Sequence, residues 1–326
     1  MKWHFLILLI AFCSCGNSEK DAGDNLPVEI DFYAAEKKRI YMDELFDKIE
    51  VIPLETTPDC LLQDYPWIAG ITDGNVLMKN DFVGACLFSR KEGRFIHNVG
   101  KKGQGPDEYI LVGGTFCKEK NLMYANRGNT WIGINIETNK VEERVKKPYF
   151  TNLKIAGGVD NPYRLNDSLY MGYINNITGD IKYKIAVFNR NGEAVHLYPN
   201  HLLYPKKNQN EFIYVPGIFY RYKKKLCFYS GIVMDTIYTI KDTYLQARYA
   251  FHFNKKGFPY ENMDSQDFSI LDYTTLRRFM EYDNKLLFTY RAGSFGEGVG
   301  FYDKGKKTTI LCSKEDHNPE ESIHEH

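Results

Sequence analysis

The chain has 326 residues, 43% hydrophobic and 15% aromatic, with 24 Tyr and 21 Phe. Its 42 Lys and Arg balance 42 Asp and Glu, which excludes the basic footprint that nucleic-acid binding requires. The length allows a single large domain, and the Tyr and Phe content suits strands.

Met1–His4 is a short basic start, and the apolar run Phe5–Phe12 is too short for a permanent membrane span. Ser14-Cys15-Gly16 follows. A small residue before Cys, directly after an apolar run, resembles a bacterial lipobox. The resemblance implies a signal peptide over residues 1–14, cleavage before Cys15 and lipidation of Cys15 by palmitate-type chains. Cys13 is the alternative, disfavoured by bulky Phe12 at the cleavage position. An ordinary signal peptide with incidental cysteines is the other reading. Acyl chains contribute about 0.8 kcal/mol per buried CH₂, so several hold a protein to a membrane durably. Residues 15–27 are polar and read as a tether.

Val28–Phe32 and Lys48–Leu54 are strand-like, and Met42–Phe46 fits one helical turn with Asp43 as its cap. Trp67–Ile71, Val76–Met78, Cys86–Phe88 and Phe95–Val99 then read as a four-stranded meander. Its turns at Asp73-Gly74-Asn75 and Lys91-Glu92-Gly93 use the freedom of glycine to take positive φ. The unit recurs. Second strands begin at Val76, Leu122, Leu169, Leu226 and Leu286, spaced 46, 47, 57 and 60 residues apart. Third strands are expected at Cys86–Phe88, Trp131–Ile136, Ile185–Phe188, Thr236–Ile240 and Gly300–Tyr302. Fourth strands are expected at Phe95–Val99, Val141–Val145, Val195–Tyr198, Arg248–Phe253 and Thr308–Leu311. A four-stranded period of this size marks propeller blades, which bury their faces by stacking around an axis. Leu271–Met280 has apolar residues at mixed spacing, so helix and strand are not separable there.

Val99–Tyr109 joins the first unit to the second. It lacks the spacing of a phosphate loop or a dinucleotide fingerprint. Two readings stand: an interblade loop whose glycines allow a tight path, or a ligand loop.

Ile52–Thr57, Arg94-Phe95-Ile96, Gly103–Tyr109 and Asp235–Ile240 together resemble the six-bladed β-propeller lipoproteins of Bacteroides-type bacteria, an NHL-like propeller. The resemblance covers residues 28–312, and Asp107 stands where that family usually has Gly. It implies an all-β, six-bladed β-propeller of four-stranded antiparallel blades. It also implies a place in the cell envelope, lipid-anchored at the outer membrane, on its periplasmic or surface side. It implies no activity. Only five repeats are found, so the N-terminal strands at 28–55 are read as a reduced sixth blade. A five-bladed ring and a truncated chain are the alternatives. Residues 313–326 are a polar tail.

No Gly-x-Ser-x-Gly, His-Glu-x-x-His or Cys-x-x-Cys motif occurs. Gly293–Gly300 is glycine-rich but reads as a hairpin connection. The repeat itself points to a site, because second-to-third links and interblade links share one end of a propeller. These links carry Asn80, Asp81, Arg127, Asn129, Asn175, Asn176 and Arg291, joined by Lys102, Gln104, Glu108 and Tyr109. Such amide, charged and aromatic groups suit a sugar or a peptide. The expected function is non-catalytic binding of a glycan, peptide or envelope protein, with no cofactor. The alternative is a lyase or lactonase with a central divalent cation such as calcium. Asp81 and Glu108 are the carboxylates placed near that end.

Overall fold

The computed structural model describes residues 26–62, 66–80, 84–111, 115–150, 158–206, 215, 217–231, 234–260, 263, 272–293 and 296–313. Cys15, Asp81 and the tail beyond 313 lie outside the described residues. The chain enters through β1 (Val28–Asp31), β2 (Glu36–Lys37) and the short helix α1 (Met42–Leu45). Five antiparallel meanders follow. Blade one is β3 (Trp67–Ile71), β4 (Asn75–Asn80), β5 (Gly84–Ser89) and β6 (Phe95–Asn98). Blade two is β7 (Phe116–Cys117), β8 (Leu122–Arg127), β9 (Thr130–Asn135) and β10 (Val141–Lys146). Blade three is β11 (Val159–Arg164), β12 (Leu169–Ile174), β13 (Tyr183–Asn189) and β14 (Ala194–Pro199). Blade four is β15 (Gly217–Tyr222), β16 (Lys225–Ser230), β17 (Thr236–Ile240) and β18 (Leu245–His252). Blade five is β19 (Thr274–Glu281), β20 (Lys285–Ala292), β21 (Glu297–Asp303) and β22 (Thr308–Ser313).

The sheets are held by side chains that alternate between two flanking interfaces. Leu77 and Leu87 meet Met123 and Ile132 between blades one and two. Tyr124 and Trp131 meet Tyr170 and Phe188 between two and three. Tyr173 and Ile185 meet Phe219 and Phe228 between three and four. Ile237 and Phe251 meet Leu276 and Phe288 between four and five. Phe88, Phe188, Phe228 and Phe288 are fully buried, each contributing roughly 1.5–3 kcal/mol. First strands lie close together at neighbouring blades. A Cβ on Gly70 of β3 would sit 2.3 Å from the Phe116 ring of β7.

The six-blade expectation is corrected: among the described residues there are five blades. The N-terminal segment makes no sheet of its own. Its β1 pairs in parallel with β18, and β2 pairs in parallel with β22. They extend blades four and five to five strands each rather than forming a reduced sixth blade. Lys48–Leu54 is irregular. Pro53 lacks an N–H donor, and the segment meets a turn instead of a strand edge: the Glu55 N–H donates to the Gly93 carbonyl at 2.9 Å. Ile40 and Leu45 pack on Leu287 and Cys312 of blade five. Ile52, Leu54 and Cys60 pack on Val76, Met78 and Phe88 of blade one. An irregular strap thus spans the seam between the last blade and the first. The expected helical turn forms at Met42–Leu45, with Asp43 inside its first turn rather than capping it.

Two buried carboxylates bolt blades together, with opposite polarity. On β10, Glu143 accepts from Tyr124 Oη of its own blade at 2.5 Å and from Arg164 Nη1 of blade three at 3.1 Å. Tyr170 and Arg190 of blade three complete its shell. Between blades four and five the carboxylate sits on the first strand instead. Glu281 of β19 accepts from Arg248 and Tyr249 of β18 at 2.6 and 2.7 Å, and from Lys304 at 3.0 Å. Burial alone would raise the Glu281 carboxyl, but these donors outweigh it and hold the group below its ordinary range. Burial and the Glu143 bond push the Tyr170 phenol up to about 12.

Candidate functional site

Of the residues expected at one end of the propeller, Asp81 lies outside the described residues, and several of the others are bonded to the protein itself. The Arg127 guanidinium donates to the Pro106 and Gln104 carbonyls at 3.0 and 3.3 Å. It thereby fixes the loop between blades one and two. Glu108 turns back under that loop, accepting the Gly105 N–H at 2.8 Å and pairing with Lys101 at 2.7 Å. The Lys101 hydrogen bond, joined by the Gly105 N–H, holds its carboxyl low. A Cβ on Gly103 would meet Glu108 Oε2 at 2.1 Å, so a side chain there would have to displace that carboxylate. Lys102 forms a parallel bridge with Tyr109, and Tyr109 is buried in the core between blades one and two. The Asn129 carbonyl accepts the Lys147 N–H at 2.8 Å.

At blade three, Asn176 Nδ2 donates to the Gly179 and Leu202 carbonyls, while its Oδ1 accepts the Ile181 N–H at 3.0 Å. Asn176 therefore staples loops. Asn175 is also buried, and its Nδ2 has no partner. Asn80 closes β4 opposite Gly84. Arg291 lies on blade five, paired with Glu297 at 3.4 Å. Arg127, Lys102, Gln104, Glu108 and Tyr109 come together as one loop structure. The asparagines of blade three and Arg291 stand apart from it.

A cleft of about 520 Å³ lies on the face of blade five turned away from blade four. Alternation along β20 creates that face. Leu286, Phe288 and Tyr290 point into the interface with blade four, so Leu287, Thr289 and Arg291 point the other way. Register adds Phe301, Val299 and Glu297 from β21, then Cys312 from β22. Ile40 and Leu45 of the strap cover part of the face, and the remainder stays open beside Val299 and Arg278.

The cleft wall contains a break in β19. Register shifts between Leu276 and Arg278, so Arg277 is an extra residue in a bulge. A bulge re-aims a side chain, and here both consecutive arginines line the cleft. Neither guanidinium is paired with a carboxylate among the described residues, and Arg277 Nε is buried without a partner. The charge of Arg277 also reaches Tyr229, whose buried hydroxyl has no partner either. Gly298 is required beside the cleft, because a Cβ there would meet the Cys312 carbonyl at 2.2 Å and Tyr290 Oη at 2.5 Å. The sequence signal for this site was the dipeptide Arg277-Arg278 inside an otherwise apolar stretch. Among the described residues, no group of three or more His, Cys, Asp or Glu side chains is placed to hold a metal ion.

The comparisons bear on this arrangement as a whole. A family model described as a domain of unknown function, DUF4934, matches residues 27–325. The chain belongs to that family. The DUF4934 match takes in the strap and all five blades, so these segments form one unit. A solved Bacteroides fragilis structure, of a protein assigned as exported, matches at 16% identity and a TM-score of 0.67, covering 89% of this chain and 80% of that one. At that identity the likeness shows the fold. A computationally designed protein, Ika8, matches at 8% identity and a TM-score of 0.37, covering 72% of this chain and 58% of that one. No curated protein matches the chain.

Proposed function

We propose that this DUF4934 protein is an exported, lipid-anchored envelope protein that binds a glycan, peptide or protein partner without transforming it. On this reading the ligand enters the blade-five cleft. The observation that carries it is the cleft itself: a space within the size range of ligand sites, mostly apolar, with two guanidiniums that no carboxylate engages among the described residues. Anchoring at Cys15 and an envelope location draw support from the leader sequence. The fold shared with a Bacteroides protein assigned as exported agrees with them.

The test is to probe glycan and peptide arrays with the full chain and with Val299→Trp, which fills the cleft from a half-exposed position. Hits that disappear in Val299→Trp support the reading, and hits retained by it at full strength sink it. Metabolic labelling with an acyl-chain analogue tests the anchor. Label is expected on the natural chain and not on Cys15→Ala; equal labelling of both refutes anchoring at that cysteine.

A further inference from the structure

The two arginines of the cleft define what it selects. Arg277 is inserted by the bulge, lines the cleft and keeps a buried, unpartnered Nε. A buried guanidinium nitrogen left without an acceptor is costly. An oxyanion in the cleft would give the guanidinium as a whole an acceptor that the described residues do not supply. Arg278 follows on the same wall with its guanidinium exposed, and its backbone N–H donates to Thr289 Oγ1 at 3.1 Å. Lining charge comes to two guanidiniums against the single carboxylate of Glu297, and Glu297 already has Arg291 as its partner. With Glu297 engaged by Arg291, both lining guanidiniums are left to share the two oxygens of one carboxylate. Ile40, Leu45, Val299 and Cys312 make the rest of the wall mostly apolar, with Thr289 and Ser313 as its polar members.

We propose that the cleft takes a monoanionic carboxylate carried on an apolar body, its oxygens gripped by Arg277 and Arg278. This rests on the reading of the cleft as the ligand site and names the class of ligand. Guanidinium forks match a carboxylate in two-point geometry. The apolar wall beyond them buries the attached chain. A peptide ending in apolar residues and a free medium-chain acid both have this chemistry.

The experiment uses the full chain in phosphatidylcholine nanodiscs, with empty nanodiscs as the blank. Fluorescence anisotropy follows dansyl-Leu-Val-Leu with a free C-terminus and the same peptide amidated, and octanoate is added as competitor. The free acid is expected to bind at least tenfold more tightly than the amide. Arg277→Gln and Arg278→Gln are each expected to weaken the acid at least fivefold and leave the amide unchanged. Arg278 is exposed, so Arg278→Gln decides the matter if Arg277→Gln melts early. Displacement by octanoate assigns the site to free acids; peptide binding that octanoate leaves untouched assigns it to chain termini. Acid and amide binding equally, or arginine variants without effect, overturns the proposal. If both peptides bind equally and Val299→Trp abolishes both, the cleft remains a ligand site and only the carboxylate is refuted. No binding of either peptide and no octanoate signal refutes the carboxylate proposal outright.

Discussion

Arg248 on the last strand of blade four places Nη2 2.6 Å from a carboxylate oxygen of Glu281 on the first strand of blade five. The Glu281 side chain is fully buried and that of Arg248 is 10% exposed. Removing one partner strands the other charge in the interface. Arg248→Met is expected to cost about 3–5 kcal/mol in urea unfolding. The paired replacement Arg248→Met with Glu281→Leu should lie closer to the natural chain than either single change. A double variant at least as unstable as the sum of the singles refutes this account.

The same carboxylate sets an acid limit. Its folded pKa lies below the ordinary value of 4.5, so its stabilisation is present above that value and is lost as pH falls through the folded one. Stability measured from pH 6 to pH 3 should therefore fall more steeply in the natural chain than in Glu281→Gln. Parallel profiles would show that Glu281 is not a dominant acid-sensitive group.

Lys184 on β13 behaves oppositely. It is buried with its ammonium 5.9 Å from the Tyr238 ring centroid, and burial pushes it down to about 8 from 10.5. Between those values the unfolded chain binds the proton and the folded chain does not, so stability rises with pH through this window. Lys184→Met should abolish that rise and stabilise the protein near neutral pH by roughly 1–3 kcal/mol. Unfolding curves at pH 7 and pH 9.5 check it, and a destabilised Lys184→Met would contradict it.

Gly93 holds the strap to blade one. Its φ is +69°, and a Cβ would meet the Pro53 carbonyl oxygen at 1.9 Å. Gly93→Ala costs about 1–2 kcal/mol from the left-handed backbone alone, and the clash pushes residues 52–55 away. Cys60 and Cys86, buried beneath that part of the strap, should then react faster with a thiol reagent. Unchanged labelling rates would mean that the strap tolerates the displacement.

Arg127 separates scaffolding from recognition. Its guanidinium donates to two carbonyls of the Gln104–Pro106 loop. Arg127→Ala should raise proteolytic cleavage near residues 101–107 while leaving dansyl-Leu-Val-Leu affinity within twofold. A large loss of affinity would return that end of the propeller to candidacy as the binding face.

Much of this fold was legible because strands two to four of each blade are short alternating runs closed by turn residues. Thr236–Ile240 forms as the spacing predicts, as does Trp67–Ile71, a first strand that was read in full. Other first strands were harder to read. β7 has two residues, and the β19 bulge breaks the alternation at Arg277, which is why Leu271–Met280 resembled helix and strand equally. The blade count failed for a related reason. Lys48–Leu54 alternates like a strand but docks against the Gly93 turn, where no ladder is available. Site reading from polarity singled out loop residues whose described bonds are largely internal. Asn176 and Glu108 are polar because the loops need internal donors and acceptors. The cleft depends on which face of β20 turns from blade four, a fact set by packing across sheets.

The parallel pairing of β1 with β18 has a mechanical side. Val28 through Asp31 run in register beside Tyr249 through His252, at the N-terminal end of the described residues. Tension delivered through the N-terminus meets the propeller first at this ladder. When the pull runs along the strand axis, the four register pairs are sheared together instead of being peeled one after another. The junction should thus yield late under force, and the ring behind it should keep its shape.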